Sequence, residues 1–407
     1  MANLTEIFLN SARRSLAWFR KAPIMDGGGR WGVGERLVLT RGNDALAKIH
    51  ERFPETTSHP DGVECLEQRR SDCNFEAALL FYLAGEWLDS PPDRQTARDL
   101  LDYLYCRSGL LNRMDNGLLY GGWAWNNTRH DGLTLWMDDN GWVCAIQFLL
   151  ARLAPELDRR YQMRHWATVL AAELRKAYER SFQPEAAGEM NDPEHLFNGR
   201  LELPHWAVPL QCALALYWET LPAGGEADAV RTDIRQYLEY ILPKVKTTNS
   251  SELGYLMILG GTLLWSGEFA AAGEELASAV TAELSRRIDA NPYGILPAEH
   301  FEAPPGPHLA DLIYTINFAF AGIALAAAKE GRFLGIAQKL GRFLAEVQDD
   351  GAEIPTLEGC WRGMYDCQAK HYGGGNLYEG GANSIYSGWT NAPIAIGMLL
   401  LGRRLGE

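Results

Sequence analysis

The stretch Trp136-Met137-Asp138-Asp139-Asn140-Gly141-Trp142 stands where an aromatic-rich loop changes into the apolar run 143–153. Two adjacent carboxylates therefore lie between two indole rings at the predicted start of a helix. A helix N-terminus carries partial positive charge and unpaired N–H groups, so an aspartate there can serve simply as a cap. The second carboxylate, and the stretch Gly121-Gly122-Trp123-Ala124-Trp125 upstream, favour a functional pair.

Apolar periodicity extends outward from this stretch and predicts two alternating sets of helices. The outer set has charged faces and runs near 4–20, 94–108, 157–183, 227–241, 268–290 and 331–347. The inner set is richer in apolar and small residues and runs near 73–88, 139–154, 204–220, 251–266, 310–329 and 388–403. This alternation predicts an all-α fold with almost no strand, an (α/α)6 toroid of six helical hairpins. No linker divides the chain, which predicts a single domain over 1–407.

The segments that lead into the inner helices are long, with 242–250 as the exception, and those that leave them are short. The long segments are 22–72, 109–138, 184–203, 291–309 and 348–387. They must therefore gather at one end of the toroid, above the N-termini of the inner helices. Long ordered loops on a rigid scaffold are where sites are built, so a site is predicted at this end.

Most of the chain's flat side chains lie in these loops or in the first turn after them. The tryptophans predicted to stack on sugar rings are Trp31, Trp123, Trp125, Trp136, Trp142, Trp361 and Trp389. The glycine-rich pieces 26–31 and 373–375 lack phosphate-loop spacing and are interpreted as turns that crowd aromatic rings around a cleft. The alternative is that the tryptophans plug the end of the barrel.

The adjacent aspartates suit the hydrolysis of a glycosidic bond. That reaction needs one carboxylic acid to protonate the leaving oxygen and one carboxylate to attack the anomeric carbon or to activate water. Like charges this close should separate their pKa values, which suits an acid paired with a base. Asp138 and Asp139 are therefore predicted as the catalytic residues. Which of them is the acid, and whether the reaction retains or inverts configuration, stays open.

Further polar residues near the starts of inner helices are candidates for the site. For each of them the alternative is a structural role: capping a helix, lying solvated at the surface, or neutralising the site's own carboxylates. Those predicted to bind substrate are Arg129, Glu299, His300, Arg362, Asp366 and His371. Carboxylates at equivalent places in the ring are Asp72, Glu189, Asp192, Asp311 and Glu379. Three further histidines are interpreted as loop or core residues: His59, His205 and His308.

Composition excludes several classes of function. The 38 basic and 52 acidic residues give a net charge of -14, which repels nucleic acid and anionic membranes. No segment is long and apolar enough to span a bilayer, and no secretory signal is evident. The seven cysteines are scattered without metal-ligand spacing. These features predict a cytoplasmic protein with no metal and no cofactor, and they leave the oligomeric state open.

The residues Asp138-Asp139-Asn140-Gly141-Trp142 resemble the Asp-Asp motif of the α-1,6-mannanases of glycoside hydrolase family 76. In that family, adjacent aspartates of a (Tyr/Trp)-x-Asp-Asp-Asn-(Gly/Ala)-Trp stretch are the catalytic pair of an (α/α)6 enzyme. The resemblance implies a six-hairpin glycosidase in which Asp138 and Asp139 carry the reaction. Members of that family are mostly exported, whereas this chain shows no secretory signal. The resemblance therefore does not imply that this chain shares the family's substrate.

The leading functional prediction is a glycoside hydrolase that cleaves short oligosaccharides in an aromatic-lined pocket. A first alternative is an unsaturated glucuronyl hydrolase, similar to the intracellular enzymes of families 88 and 105. A second is a sugar 2-epimerase or isomerase with His300 and His371 as proton carriers, although the Gly-His-x-x-Glu-x-x-Trp-Leu signature of the N-acylglucosamine and cellobiose 2-epimerases is absent. A third is a carbohydrate-binding toroid without turnover.

Overall fold

A computed structural model describes residues 3–114, 120–128, 135–182, 201–300, 305–375 and 379–407. Most of these residues are helical. The α-helices, in chain order, are α1 (Leu4–Lys21), α2 (Leu46–Arg52), α3 (Ser71–Trp87), α4 (Pro91–Asp102), α5 (Met137–Leu153), α6 (Pro155–Tyr161), α7 (Met163–Ser181), α8 (Pro204–Trp218), α9 (Gly225–Ile241), α10 (Ser250–Leu263), α11 (Ala270–Ala290), α12 (Ile316–Lys329), α13 (Leu334–Val347) and α14 (Ala392–Gly406).

The longer helices form two concentric rings. The inner helices α3, α5, α8, α10, α12 and α14 each pack against the next, and α14 packs against α3, which closes the ring. The outer helices α4, α7, α9, α11 and α13 each pack on the inner helix that precedes them in the chain, while α1 packs on α14. The first helix therefore completes the hairpin of the last one. The predicted all-α (α/α)6 toroid of six hairpins is confirmed.

The inner helices are buried on nearly every side, and glycines let their backbones approach one another. A Cβ added at Gly141 of α5 would stand 2.6 Å from the backbone nitrogen of Leu210 in α8. One added at Gly322 of α12 would stand 2.6 Å from the backbone nitrogen of Ile258 in α10. Close packing of this kind tolerates no extra methyl group without displacement. The glycine of the Asp-Asp-Asn-Gly stretch therefore has a packing role between two inner helices.

Short strands occur within the long loops, and the prediction of almost no strand missed them. They are β1 (Arg36–Leu39), β2 (Thr56–His59), β3 (Val63–Leu66), β4 (Leu309–Asp311), β5 (Met364–Asp366), β6 (His371–Tyr372) and β7 (Ser384–Tyr386). One antiparallel sheet has the order β2-β3-β1-β7 and the other has the order β4-β5-β6. The predicted helix 310–329 begins only at Ile316, because β4 occupies its first residues. Strands this short give no usable alternation of apolar and polar residues.

Three inner helices hold the preceding loop by the same pair of hydrogen bonds. In each case an asparagine at the start of the helix accepts a backbone N–H through Oδ1 and donates through Nδ2 to the carbonyl of the same loop residue. The pairs, with their N–H to Oδ1 distances, are Asn74 with Val33 (2.8 Å), Asn140 with Trp123 (2.9 Å) and Asn391 with Trp361 (2.8 Å). These asparagine clamps satisfy buried peptide groups of the loops and fix the path of each loop over the ring.

Among the helices of the described ranges, none combines the length and the apolar character needed to cross a lipid bilayer.

Replacing Gly141 with alanine is expected to lower the free energy of unfolding by about 1–3 kcal/mol, because the new methyl group overlaps the backbone of α8. Gly335 in α13 provides the matched control, since a Cβ there meets open space and Gly335→Ala is expected to be neutral or stabilising by about 0.5–1 kcal/mol. Urea unfolding of both variants checks this. Equal midpoints for the two would show that α5 and α8 are not packed as described.

Candidate active site

A cavity of about 270 Å³ opens at the end of the toroid where the inner helices begin. Every inner helix contributes to its lining at or near its N-terminal end, through Arg70, Asp138, Asp139, His205, Tyr255, Tyr314 and Trp389. The rest of the lining is Glu35, Arg36, Arg52, Phe53, Trp125, Trp136, Trp206, His300, Glu379 and Tyr386. The structure thus places this cavity at the end predicted from the loop lengths.

Arg70, the residue before α3, organises the acidic side of the cavity. Its Nε and Nη2 donate to the two carboxylate oxygens of Asp72, at 3.0 and 2.6 Å. Nη2 also donates to Oδ1 of Asp139 at 2.6 Å, and Nη1 donates to Oε1 of Glu35 at 3.2 Å. Arg70 is buried, so these charge-assisted bonds form away from bulk water. One guanidinium therefore holds acidic groups from three separate parts of the chain.

Aromatic rings enclose this guanidinium. The Cζ atom of Arg70 lies 4.9 Å from the ring centre of Trp389 and 5.5 Å from that of Trp125. Trp389 also donates from its indole Nε1 to Oδ2 of Asp72, at 2.8 Å. Its position depends on a π-helical turn, Ser387–Asn391, directly before α14. The turn passes so close to α3 that a Cβ at Gly388 would lie 2.7 Å from Cα of Cys73.

The pKa values of Asp139 and Asp72 are shifted in opposite directions although both carboxyl groups contact Arg70. Burial, with the charges of Asp72 and Asp138, raises the pKa of Asp139 well above its ordinary value, and the Arg70 charge does not offset this. Burial would also raise the pKa of Asp72, but Arg70 and hydrogen bonds from Trp389 and Asp139 lower it overall. Burial thus favours the protonated form of Asp139, whereas Arg70 and Trp389 favour the ionised form of Asp72.

Asp138 is the group best placed to react as a carboxylate. Burial raises its pKa to about 6, while the charges of Arg70 and His205 and a hydrogen bond from the Asp139 N–H limit the rise. Its Oδ1 is buried and has no hydrogen-bond partner among the described residues. The N-cap residue of α5 is Trp136, with no side-chain capping bond, so neither aspartate acts as the cap. Above about pH 6 the cavity therefore holds an ionised Asp138 beside Asp139, whose pKa burial also raises.

Two histidines line the other side. Glu252, near the start of α10, accepts the backbone N–H of His205 at 2.7 Å and contacts the ring Nδ1 with its other oxygen. The imidazole of His205 is thus oriented by a carboxylate. His300 stacks flat on Tyr314, with ring centres 3.8 Å apart and an interplanar angle of 4°. Burial lowers the pKa of His300 to about 3, so its imidazole is neutral at physiological pH.

A second charged cluster lies on the wall formed by β1 and β7. The buried Arg36 guanidinium donates to Oε2 of Glu379 and to the Tyr386 hydroxyl, and that hydroxyl also donates to Glu379. Burial would raise the pKa of Glu379, but Arg36, the hydrogen bond from Tyr386 and the charge of Arg52 lower it overall. Glu379 is therefore ionised, and one of its oxygens is fully engaged.

Flat side chains form the remaining walls. Trp136 and Trp206 stack with ring centres 5.6 Å apart at 28°, and Trp125 meets Trp136 edge to face at 6.1 Å. Carboxylates among such rings provide stacking surfaces and hydrogen-bond acceptors together, a combination that suits ring-shaped ligands with hydroxyl groups.

Six of the predicted site residues meet in this cavity: Asp138, Asp139, Trp125, Trp136, His300 and Trp389. The other predicted tryptophans lie elsewhere. Trp31 is 53% exposed on the surface, and Trp142 stacks on Tyr255 and Phe318 outside the lining. Trp123 packs in the core against Phe75 and Tyr105, and Trp361 is in the core with its Nε1 donating to the Leu344 carbonyl. For Trp123 and Trp361, the alternative of rings that fill the barrel fits their positions.

The remaining predicted polar residues have structural partners outside the cavity. Glu299 accepts hydrogen bonds from Ser250 and Arg287, and Arg362 donates to the Ala382 carbonyl. Asp366 accepts two N–H groups of its own turn, and His371 is exposed, which removes His371 as the proposed partner of His300. Arg129, Glu189 and Asp192 fall outside the described residues.

Several lining residues escaped the sequence analysis: Glu35, Arg36, Arg52, Phe53, Arg70, Tyr255 and Tyr314. His205, interpreted as a loop or core histidine, also lines the cavity. One signal was available for Arg70. The series Arg70-Ser71-Asp72-Cys73-Asn74 repeats the spacing of aspartate and asparagine in Trp136-Met137-Asp138-Asp139-Asn140, and both series begin inner helices. Within the described ranges, no three histidine, cysteine or acidic side chains form a group that could hold a metal ion.

Neither a family model nor a curated protein matches the sequence of this chain. Solved structures match it over nearly its whole length. Cellobiose 2-epimerase from Bacillus thermoamylovorans is 12% identical with a TM-score of 0.59, covering 96% of this chain and 98% of the epimerase. A D-mannose isomerase is 11% identical with a TM-score of 0.58, covering 99% of both chains.

The α-1,6-mannanase GH76A from Salegentibacter sp. HEL1_6 is 9% identical with a TM-score of 0.54, covering 100% of both chains. A structure of an inactive variant of that mannanase, with two consecutive aspartates changed to asparagine, contains α-1,6-mannotriose. At these identities the similarity establishes the shared fold, which several carbohydrate-processing enzymes use.

Asp138→Asn is expected to raise the stability of the protein at pH 7.5. A carboxyl group with a raised pKa costs folding energy where it is ionised, above about pH 6, and the cost disappears below its unfolded pKa, near 4. The gain is up to about 3 kcal/mol at pH 7.5 and falls toward zero by pH 4. Melting temperatures at both values of pH, compared with wild type, measure it.

Asp72→Asn is the matched control, because the pKa of Asp72 is lowered in the folded protein. Its carboxylate stabilises the fold above an unfolded pKa near 4, and removing it leaves Arg70 underpaired. This variant is expected to melt below wild type at pH 7.5. If both variants shift the melting temperature in the same direction, the assignment of protons in the cavity is wrong.

Proposed function

We propose that this chain is a glycoside hydrolase that cleaves short oligosaccharides, with Asp139 as the acid and Asp138 as the reacting carboxylate. The observation that carries the proposal is a pair of adjacent buried carboxyl groups in one aromatic-lined cavity, of which Asp139 bonds Arg70 and Asp138 has a buried Oδ1 with no hydrogen-bond partner among the described residues. Glycoside hydrolysis needs a division between an acid and a base or nucleophile.

Each step can be assigned to a named group. Asp139 gives its proton to the glycosidic oxygen as the bond to the leaving sugar breaks. The Asp138 carboxylate attacks the anomeric carbon or takes a proton from the attacking water. Arg70 already bonds Oδ1 of Asp139, so it stabilises the charge that Asp139 gains when the proton leaves. Trp125, Trp136 and Trp206 offer faces on which sugar rings can stack.

The mannanase comparison supports this assignment and suggests a first substrate. Its inactive variant carries changes at two consecutive aspartates, and Asp138 and Asp139 are also consecutive. The motif of this chain resembles that of family 76, and the fold is the same. Linear α-1,6-mannooligosaccharides are therefore the first compounds to test.

A sugar epimerase or isomerase is the second candidate, and His205 is the observation that favours it. His205 and His300 both line the cavity, and the Glu252 carboxylate orients His205 as it would a proton carrier. Two neighbours in fold are an epimerase and an isomerase. The low pKa of His300, however, makes it a weak base for removing a proton from carbon.

Asp138→Asn and Asp139→Asn are each expected to lower kcat by at least about 100-fold while the protein stays folded. Asp366→Asn is the matched control and should keep full turnover, because Asp366 accepts hydrogen bonds in a turn outside the cavity. The assay is mass spectrometry of an oligosaccharide panel in water enriched in oxygen-18 and deuterium. Oxygen-18 at a new reducing end reports hydrolysis. Deuterium on carbon without cleavage, retained in both Asp variants, would establish the epimerase instead.

The hydrolytic rate should depend on pH in a defined way. Asp138 must be ionised, so kcat/KM is expected to fall about tenfold per pH unit below about pH 6. Asp139 must be protonated, so the rate should fall again at the alkaline pH where Asp139 loses its proton, and its raised pKa shifts that decline upward. A pH–rate profile on any cleaved substrate tests both limbs. A rate that keeps rising below pH 5 would contradict the role of Asp138.

A further inference from the structure

Arg52 presents a half-exposed guanidinium group to the cavity. It is the last residue of α2, the short helix in the first long loop, and it lines the cavity with 54% of its side chain exposed. Among the described residues it makes no hydrogen bond. Its ion-pair contact, from Nη1 to Oε1 of Glu379, measures 3.8 Å, which is too long for a hydrogen bond.

Glu379 makes hydrogen bonds with Arg36 and Tyr386 and only a long ion pair with Arg52. Its Oε2 receives hydrogen bonds from both Arg36 and Tyr386, and Arg36 is buried against it. The other nearby carboxylate, Glu35, accepts a hydrogen bond from Nη1 of Arg70 at 3.2 Å, and its other oxygen lies 3.9 Å from Nε of Arg36. Arg36 is therefore buried between Glu35 and Glu379, whereas Arg52 keeps exposed N–H donors that no described residue accepts.

Aromatic rings hold the Arg52 guanidinium in position. Its Cζ lies 5.2 Å from the ring centre of Phe53 and 5.8 Å from that of Trp125. Trp125 is also a wall of the cavity, so a sugar ring against that wall would bring its exocyclic group toward Arg52. A planar guanidinium with unused donors matches a carboxylate through two parallel hydrogen bonds.

We propose that Arg52 forms a subsite for the carboxylate of a uronic acid residue, so that the cavity takes acidic oligosaccharides. This inference rests on the proposed function only in assuming that a saccharide occupies the cavity. It concerns recognition, and it does not require Arg52 to take part in bond cleavage.

The test compares oligouronates with the same oligosaccharides after chemical reduction of their carboxyl groups, which changes only the charged substituent. Binding to the full-length Asp139→Asn variant is measured by calorimetry, so turnover does not interfere. The acidic member of a pair should bind at least about tenfold more tightly, with a preference that weakens at high salt. Adding Arg52→Gln should abolish the preference. Arg41→Gln is the matched control, because Arg41 is an exposed residue outside the lining.

The outcomes separate this subsite from the proposed hydrolysis. If the wild-type protein cleaves no oligosaccharide but binds acidic ones preferentially through Arg52, the subsite is supported and the proposed hydrolase activity is wrong. Cleavage of neutral oligosaccharides with no acidic preference, or with one unaffected by Arg52→Gln, would overturn the subsite alone. The carboxylate assignment would also be overturned if neither the oligouronates nor their reduced counterparts bind. It would likewise be overturned if sulfated or phosphorylated sugars bind more tightly than uronates do.

Discussion

The asparagine clamps fix the paths of the loops that form the cavity. A long loop that runs over a ring of helix N-termini exposes many peptide groups, and those that become buried need partners. Asn74, Asn140 and Asn391 each supply both a donor and an acceptor to one loop residue. Because each clamp forms at the start of an inner helix, it also fixes the neighbours of the asparagine. Asp72 and Asp138 stand two residues before their clamps, and both reach the acidic side of the cavity.

The buried charged groups on the acidic side of the cavity cost folding free energy. A functional role explains their presence better than a stabilising role does. Buried carboxylates and guanidinium groups lose hydration that their mutual attraction only partly repays. Arg70 compensates the two carboxyl groups unequally, because it donates two hydrogen bonds to Asp72 and one to Asp139. The indole of Trp389 donates another hydrogen bond to Asp72. The pKa of Asp72 is therefore lowered, whereas that of Asp139 is raised. Perturbed carboxyl groups of this kind in a cavity are typical of active sites.

The sequence predicted the scaffold far better than the walls of the cavity. Helices of fourteen or more residues repeat the apolar period several times, so α5, α8 and α11 lie close to their predicted limits. Asp138 and Asp139 were found because they are adjacent at a helix start. Trp123 and Trp361 were misplaced because their clamped backbones turn the indoles inward, which no local pattern reports. Glu35 and Arg70 meet across 35 positions of sequence, and only the folded ring brings them together.

The shared fold does not determine the reaction, so our proposal of hydrolysis over epimerisation depends on the groups at the cavity. Moving a hydrogen at carbon needs groups that accept and return a proton near neutral pH. Of the two histidines that could do so, His300 is held neutral, with a pKa of about 3, by burial against Tyr314. Hydrolysis needs one carboxyl group protonated and one ionised at the same pH. Asp138, with a pKa of about 6, supplies the ionised carboxylate above that pH, and the raised pKa of Asp139, caused by burial and the charges of Asp72 and Asp138, suits Asp139 as the acid.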